Sequence, residues 1–132
     1  VINLQVSPNF NLYYDRKLAC PCCHLLPITI RFCNHMTLLQ ELRDAVGFAI
    51  RVNSGYRCPK HNKAVGGAMP DPKIGKVGSQ HLIFATDITP VSGSLGDLER
   101  MWKWSNTHFT GVGLYKTFIH VDLREVAARW NG

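Results

Sequence analysis

The chain has no long hydrophobic run, no dense stretch of basic residues, and no repeated or low-complexity segment. Without about 20 consecutive apolar residues it offers no membrane-spanning helix. Residues 1–11 lack the basic start, apolar centre and small-residue cleavage site of a secretory signal, so none is expected. Basic residues outnumber acidic ones, with a formal net charge of +6. They are scattered (Arg16, Lys17, Arg51, Lys60, Lys63, Lys73, Lys76, Lys103, Arg129) rather than gathered on one helix face. This balance favours acidic partners in general, whether nucleic acid, an anionic membrane surface or an anionic cell-wall polymer, without choosing among them. A length of 132 residues and 45% hydrophobic content suit one globular domain, 1–132, with its own core.

Five cysteines, an odd number, stand at 20, 22, 23, 33 and 58. Their crowding within residues 20–33 does not resemble an evenly spaced disulfide framework. Cys20-x-Cys22-Cys23-His24 followed by Cys33-x-His35 has the residue types of a small zinc knuckle. The spacings match no common finger, however, and adjacent thiols rarely serve one metal. A second, structural zinc at Cys20, Cys22 and Cys33 is therefore not expected; buried free thiols or a single bridge are.

After a cysteine-rich opening, 1–34, Thr37-Leu38-Leu39-Gln40 has the form of a capping box. Leu38, Leu39, Leu42 and Val46 then recur at helical spacing up to Gly47. A strand is expected over 48–53, a turn at Ser54-Gly55-Tyr56-Arg57, and a short helix opened by Pro59 through about 64. Residues 66–78 read as a loop, 84–89 as a strand, 95–104 as a helix, 111–124 as a hairpin and 125–130 as a closing short helix. This order predicts an α+β fold, a small mainly antiparallel sheet with helices on one side.

Two stretches carry the chemistry: Ser79-Gln80-His81 through Asp87, and Phe118-Ile119-His120-Val121-Asp122-Leu123-Arg124. They offer imidazoles and carboxylates without thiolate, the donor types of a zinc ion that keeps one position open for water. His81, Asp87 and His120 are the candidate ligands. Taken singly, each histidine reads equally as an ordinary hydrogen-bonded side chain. Straight strand would separate His81 from Asp87 by roughly 20 Å and a helix by roughly 9 Å, so the chain must fold back between them. His120 and Asp122 share one strand face, roughly 6.6 Å apart. Asp122 is therefore the candidate proton carrier, or else a carboxylate orienting His120 or pairing with Arg124.

Further segments fall in the same order along the chain: Ser54-Gly55-Tyr56-Arg57-Cys58-Pro59-Lys60-His61-Asn62, Val65-Gly66-Gly67-Ala68, Gly113-Leu114-Tyr115 and Ala128-Arg129-Trp130. With the two stretches above, they resemble the zinc D-alanyl-D-alanine carboxypeptidase family. Relatives of that family include phage L-alanyl-D-glutamate endopeptidases, dipeptidases of vancomycin resistance and the Hedgehog signalling domain. The resemblance implies one zinc held by His81, Asp87 and His120, with Arg57 placed to neutralise substrate or oxyanion charge. It implies a zinc metallopeptidase acting on peptidoglycan stem peptides or cross-links at bonds involving D-amino acids; separately, a monomer with no nucleic-acid partner is expected. A non-catalytic zinc-containing binding domain on the same scaffold is the alternative. A nucleic-acid binder built on the Cys/His cluster is a weaker one. The missing signal fits a phage-type lysin or a virion- or cytoplasm-associated enzyme.

Three departures from the family pattern stand out. The segment between His81 and Asp87 is one residue short and lacks the usual glycine, with Phe84 in its place. The link over 69–78 is longer than usual, as a lid or specificity element would be. Many relatives carry a glutamate three residues before the last histidine, where this chain has Thr117. Asp122 is the nearest replacement, as in the HxD branch.

Overall fold

The computed structural model describes residues 5–132. Residues 1–4, the start of the stretch read for a secretory signal, lie outside the described residues. In chain order the elements are β1 (Gln5–Ser7), β2 (Phe10–Asn11), α1 (Ile30–Val46), β3 (Ile50–Ser54), α2 (Pro59–Ala64), β4 (Ala85–Pro90), α3 (Leu95–His108), β5 (Gly111–Leu114), β6 (Ile119–Asp122) and β7 (Ala128–Asn131). The fold is α+β. Five strands form one sheet in the order β3-β4-β6-β5-β7, antiparallel except for the parallel β5–β7 pair. No helix among the described residues is long and apolar enough to cross a membrane.

Helix α1 begins well before the expected capping box. Thr29 is its N-cap, and the hydroxyl accepts the Phe32 N–H at 3.1 Å. Thr37 instead donates to Cys33 O, and Gln40 turns to Asn9 and Asp44. The helical stripe thus includes Phe32 and Met36, which the cysteine-rich composition had masked. Phe32, Met36, Leu39 and Leu42 bury one side, and Gly47 closes the helix in the left-handed region at φ 75°. Helix α3 is capped by Ser94, which accepts the Asp97 N–H, and buries Leu98 and Met101. It runs to His108, four residues beyond the expected end, where the His108 ring stacks on Trp104.

The closing segment is a strand and not a short helix. Residues 128–131 alternate half-buried and exposed and pair in parallel with β5. An exposed edge of β5 needs a partner for its N–H and C=O groups, and a six-residue helix nucleates poorly by itself.

Strand alternation then sorts the sheet into two faces. On one, Ile88, Ile119, Val121 and Val112 meet Leu39, Leu42, Met101 and Phe109 in the core. On the other, Asp87 pairs across the ladder with His120, and Ala85 with Asp122. A one-residue register slip would exchange the two faces, so burial of the first fixes the chemistry of the second.

The fold-back between His81 and Asp87 needs no glycine. A 3-10 turn, Gln80–Leu82, is capped by the Ser79 hydroxyl and followed by Ile83 in the right-handed region. Phe84 then drops fully into the core, edge-on to Phe32 at 4.9 Å and to His35 at 4.8 Å. The missing residue is thus replaced by a tight turn pinned by a buried ring. Phe84→Ala is expected to cost about 3–5 kcal/mol in urea unfolding, whereas exposed Ile83→Ala should stay within about 0.5 kcal/mol. Equal losses would contradict this anchoring.

Candidate metal centre

His81 leaves the 3-10 turn, Asp87 sits on β4 and His120 on β6, and their donor atoms converge. Asp87 Oδ1 lies 3.0 Å from His120 Nδ1 and 3.4 Å from His81 Nε2. Ligands about 2.0–2.1 Å from a tetrahedral zinc stand roughly 3.3 Å apart, so these separations suit one ion.

The hydrogen bonds on the outer nitrogens make the fit specific. His81 Nδ1–H donates to Gly55 O at 2.7 Å, which leaves the Nε2 lone pair facing inward. His120 Nε2–H donates to Asp122 Oδ2 at 2.7 Å, which leaves the Nδ1 lone pair facing inward. The two rings therefore present opposite nitrogens to the same point, each fixed by its other hydrogen bond. Both imidazoles are buried, and a carboxylate and two neutral imidazoles are a donor set chemically suited to zinc.

Asp122 occupies a different place from the one expected of a proton carrier. Its carboxylate is 0% exposed. Oδ2 meets His120 and the Arg124 Nη2 at 2.7 Å each, while Oδ1 accepts the Arg124 N–H and Nε–H. It lies at the ring nitrogen that points away from Asp87. With both oxygens engaged and no solvent access, it holds the His120 ring and pairs with Arg124, the alternative that its spacing had left open. Strand β6 ends at Asp122, and Arg124, two residues on, folds back so that both its backbone N–H and its guanidinium donate to that carboxylate. Gly111 makes room for it, since a Cβ there would stand 2.1 Å from Asp122 Oδ1.

Electrostatics agree with the geometry. In the metal-free chain, where the inner ring nitrogens are free to hydrogen-bond Asp87, burial would raise that carboxyl, but its contacts with His120 and His81 hold it well below the usual carboxylate range. Burial would likewise raise Asp122, and His120 and Arg124 hold it well below that range. Burial lowers His120, but the hydrogen bonds to Asp122 and Asp87 outweigh it and the net shift is upward.

A cleft of about 490 Å³ opens over the three donors, lined also by Arg57, Gln80, Tyr115, Arg124 and Trp130. Arg57 stands at its rim, with Nη2 3.9 Å from Asp87 Oδ2. Its backbone N–H donates to His81 O at 2.9 Å, which joins the Ser54–Arg57 turn to the 3-10 turn. Trp130 covers His120 at 5.2 Å between ring centres, donates its indole N–H to Tyr115 Oη, and carries the Arg124 guanidinium 4.8 Å from its ring. The tryptophan contact depends on β7, and a helical reading of 125–130 hid it. Residues 69–78 form a small closed excursion, with an Asp71–Lys76 bridge and Ser79 N–H donating to Ala68 O. Val77 and Gly78 bring its end to the cleft. Thr117 offers no carboxylate; its carbonyl accepts the Thr89 hydroxyl.

The cysteines are distributed differently from the expected grouping. Cys33 is exposed on α1, and His35 is buried in the core against Thr86, so neither joins Cys20 and Cys22. Burial holds the His35 ring neutral, lowering it to about 3.

A two-histidine, one-carboxylate donor set opening on a cleft is an arrangement that metallohydrolases use, with one metal position free for water or substrate. A family model described as Peptidase M15 matches residues 22–122, and the chain belongs to that family of zinc-dependent peptidases. Comparison with curated proteins gives no match.

Two outcomes test this geometry. Asp122→Asn should lower zinc affinity about 10–100-fold against a competing chelator; unchanged affinity with lost cleavage would restore the proton-carrier role. In the metal-free chain, the raised His120 contributes stability that is complete below its usual 6.5 and fades as pH climbs through its folded value. Asp87 and Asp122, being lowered, stay ionised throughout that range. The unfolding free-energy difference between metal-free parent and His120→Asn should therefore be largest near about pH 5 and shrink toward alkaline pH. A difference that grows with pH would contradict the pairing.

Proposed function

We propose that the chain is a zinc metallopeptidase that hydrolyses peptide bonds of peptidoglycan stem peptides or cross-links next to D-amino acids. The observation that carries this reading is the convergence of His81 Nε2, His120 Nδ1 and Asp87 Oδ1 on one point at the floor of an open cleft. Zinc held there supplies Lewis acidity toward a carbonyl oxygen and lowers the pKa of water to near neutrality.

The remaining work falls to the chain. Arg57 presents planar donors at the rim toward the charge that develops on the carbonyl oxygen, or toward a substrate carboxylate. Asp122, as a positioning residue, retains the proton on His120 Nε2 and so keeps Nδ1 a ligand. Gly55 O does the same for His81. Trp130 and Tyr115 wall the cleft and exclude water from one side of His120. The peptidoglycan substrate is supported by the likeness of the ordered motifs to D-alanyl-D-alanine carboxypeptidases. It is also supported by the chemistry of stem peptides, whose carboxylates suit a cleft edged by Arg57 and Arg124.

One observation favours a second reading, a zinc-containing binding domain without catalysis. Among the described residues lining the cleft, Asp87 is the sole carboxylate, and it is already a candidate ligand. A single assay separates the two. The zinc-loaded chain is incubated with purified peptidoglycan, and new amino termini are counted with and without chelator. The peptidase reading predicts chelator-sensitive release, with Arg57→Ala lowering kcat/KM by about 10²–10³-fold while zinc stays bound. Stoichiometric zinc with no cleavage of any cell-wall peptide would establish the binder instead.

A further inference from the structure

We propose a second metal site: Cys20, Cys22, Cys23 and Cys58 form a structural tetrathiolate zinc centre that staples the N-terminal segment to the turn carrying Arg57. One sulfur from each of the four lies within 4.8 Å of all the others. Cys22 and Cys58 sulfurs are 3.2 Å apart, and Cys20 and Cys22 sulfurs 3.6 Å. A tetrahedral zinc with Zn–S of about 2.3 Å spaces its sulfurs roughly 3.8 Å apart, so the group needs little adjustment. A disulfide, with S–S of about 2.05 Å, would use two thiols and leave two packed against it.

The backbone explains how neighbouring cysteines can both turn inward. Residues 20–25 close into a tight loop, with Cys20 N–H donating to Leu25 O at 2.9 Å and His24 N–H to Cys20 O at 2.7 Å. His24 sits in the left-handed region at φ 61°, the sole such non-glycine among the described residues. A residue with a side chain occupies that region at a cost, which something in the folded state must offset. Two sulfurs also accept backbone N–H groups: Cys20 Sγ from Cys58, and Cys58 Sγ from His61, both at 3.4 Å. Such bonds are the usual support of metal-bound thiolates. The exposed Cys33 stands apart, so the set is four, the number of a closed structural site.

The position gives the site a purpose. Around it, residues 5–29 have only short elements, tied to the body of the fold by Phe10 and Leu18 in the core and by Asn9 on Gln40. Tyr56 N–H donates to Leu18 O at 2.9 Å, and a Cβ on Gly55 would stand 2.5 Å from that oxygen. The stapled segment therefore backs the turn whose Gly55 carbonyl fixes the His81 ring, and Cys58 directly follows Arg57. Binding displaces the thiol protons to solvent and needs no oxidant.

The test is a zinc count on the purified full chain. About two ions per chain are expected, one of them released by a thiol-specific mercurial. His120→Ala should retain one zinc, all of it mercurial-releasable, and its cobalt(II)-loaded form should show thiolate-to-cobalt charge-transfer absorption. Cys22→Ser and Cys58→Ser should each lose one ion, whereas Cys33→Ser should lose none. If the cysteine variants fail to fold, the mercurial and cobalt results on His120→Ala decide. A His120→Ala chain without zinc, or an intact mass lower by two hydrogens with Cys22 bridged to Cys58, would overturn the proposal. Absence of peptidase activity would leave this count unchanged.

Discussion

The centre depends on two histidine rings held by opposite nitrogens. A carbonyl from the Gly55 turn takes the proton of His81 Nδ1, and a buried carboxylate takes that of His120 Nε2. The two remaining lone pairs converge with Asp87 Oδ1 on one point where a metal ion could sit. If either outer acceptor were lost, a ring could turn or change tautomer, and the donor set would no longer suit one ion. Each acceptor is itself anchored: Gly55 by its close packing on Leu18, Asp122 by Arg124 and by the space that Gly111 leaves.

The sheet carries this constraint into the core. Asp87 and His120 are cross-strand partners, and the residues flanking them, Thr86, Ile88, Ile119 and Val121, are fully buried on the opposite face. Packing of α1 and α3 against that face therefore sets the register that brings the ligands together. The same logic explains the short segment after His81. Phe84, wedged between Phe32 and His35, fixes the distance from the 3-10 turn to β4.

Much of this was legible in the sequence. Period-two patterning placed His120 and Asp122 on one face, Pro59 announced α2, and Gly47 ended α1. The shortfalls share a cause: tertiary context overrode a local signal. Thr37-Leu38-Leu39-Gln40 had the form of a cap, but Phe32 and Met36 gained more by extending the helix into the core. Residues 125–130 had helix-compatible composition, but the open edge of β5 recruited them as a strand. Asp122 could carry protons, orient His120 or pair with Arg124 as far as the sequence went, and only the fold added that His120 and Arg124 together take up both of its oxygens. Cys58 joined Cys20, Cys22 and Cys23 across a separation in sequence that no spacing rule covers, while Cys33, much nearer in the chain, stayed outside.

The most direct test of the central claim is a crystal structure of the zinc-soaked chain with anomalous data collected at the zinc absorption edge. The account predicts an anomalous peak about 2 Å from His81 Nε2, His120 Nδ1 and Asp87. A zinc bound through His120 Nε2, or no peak among these three residues, would contradict it.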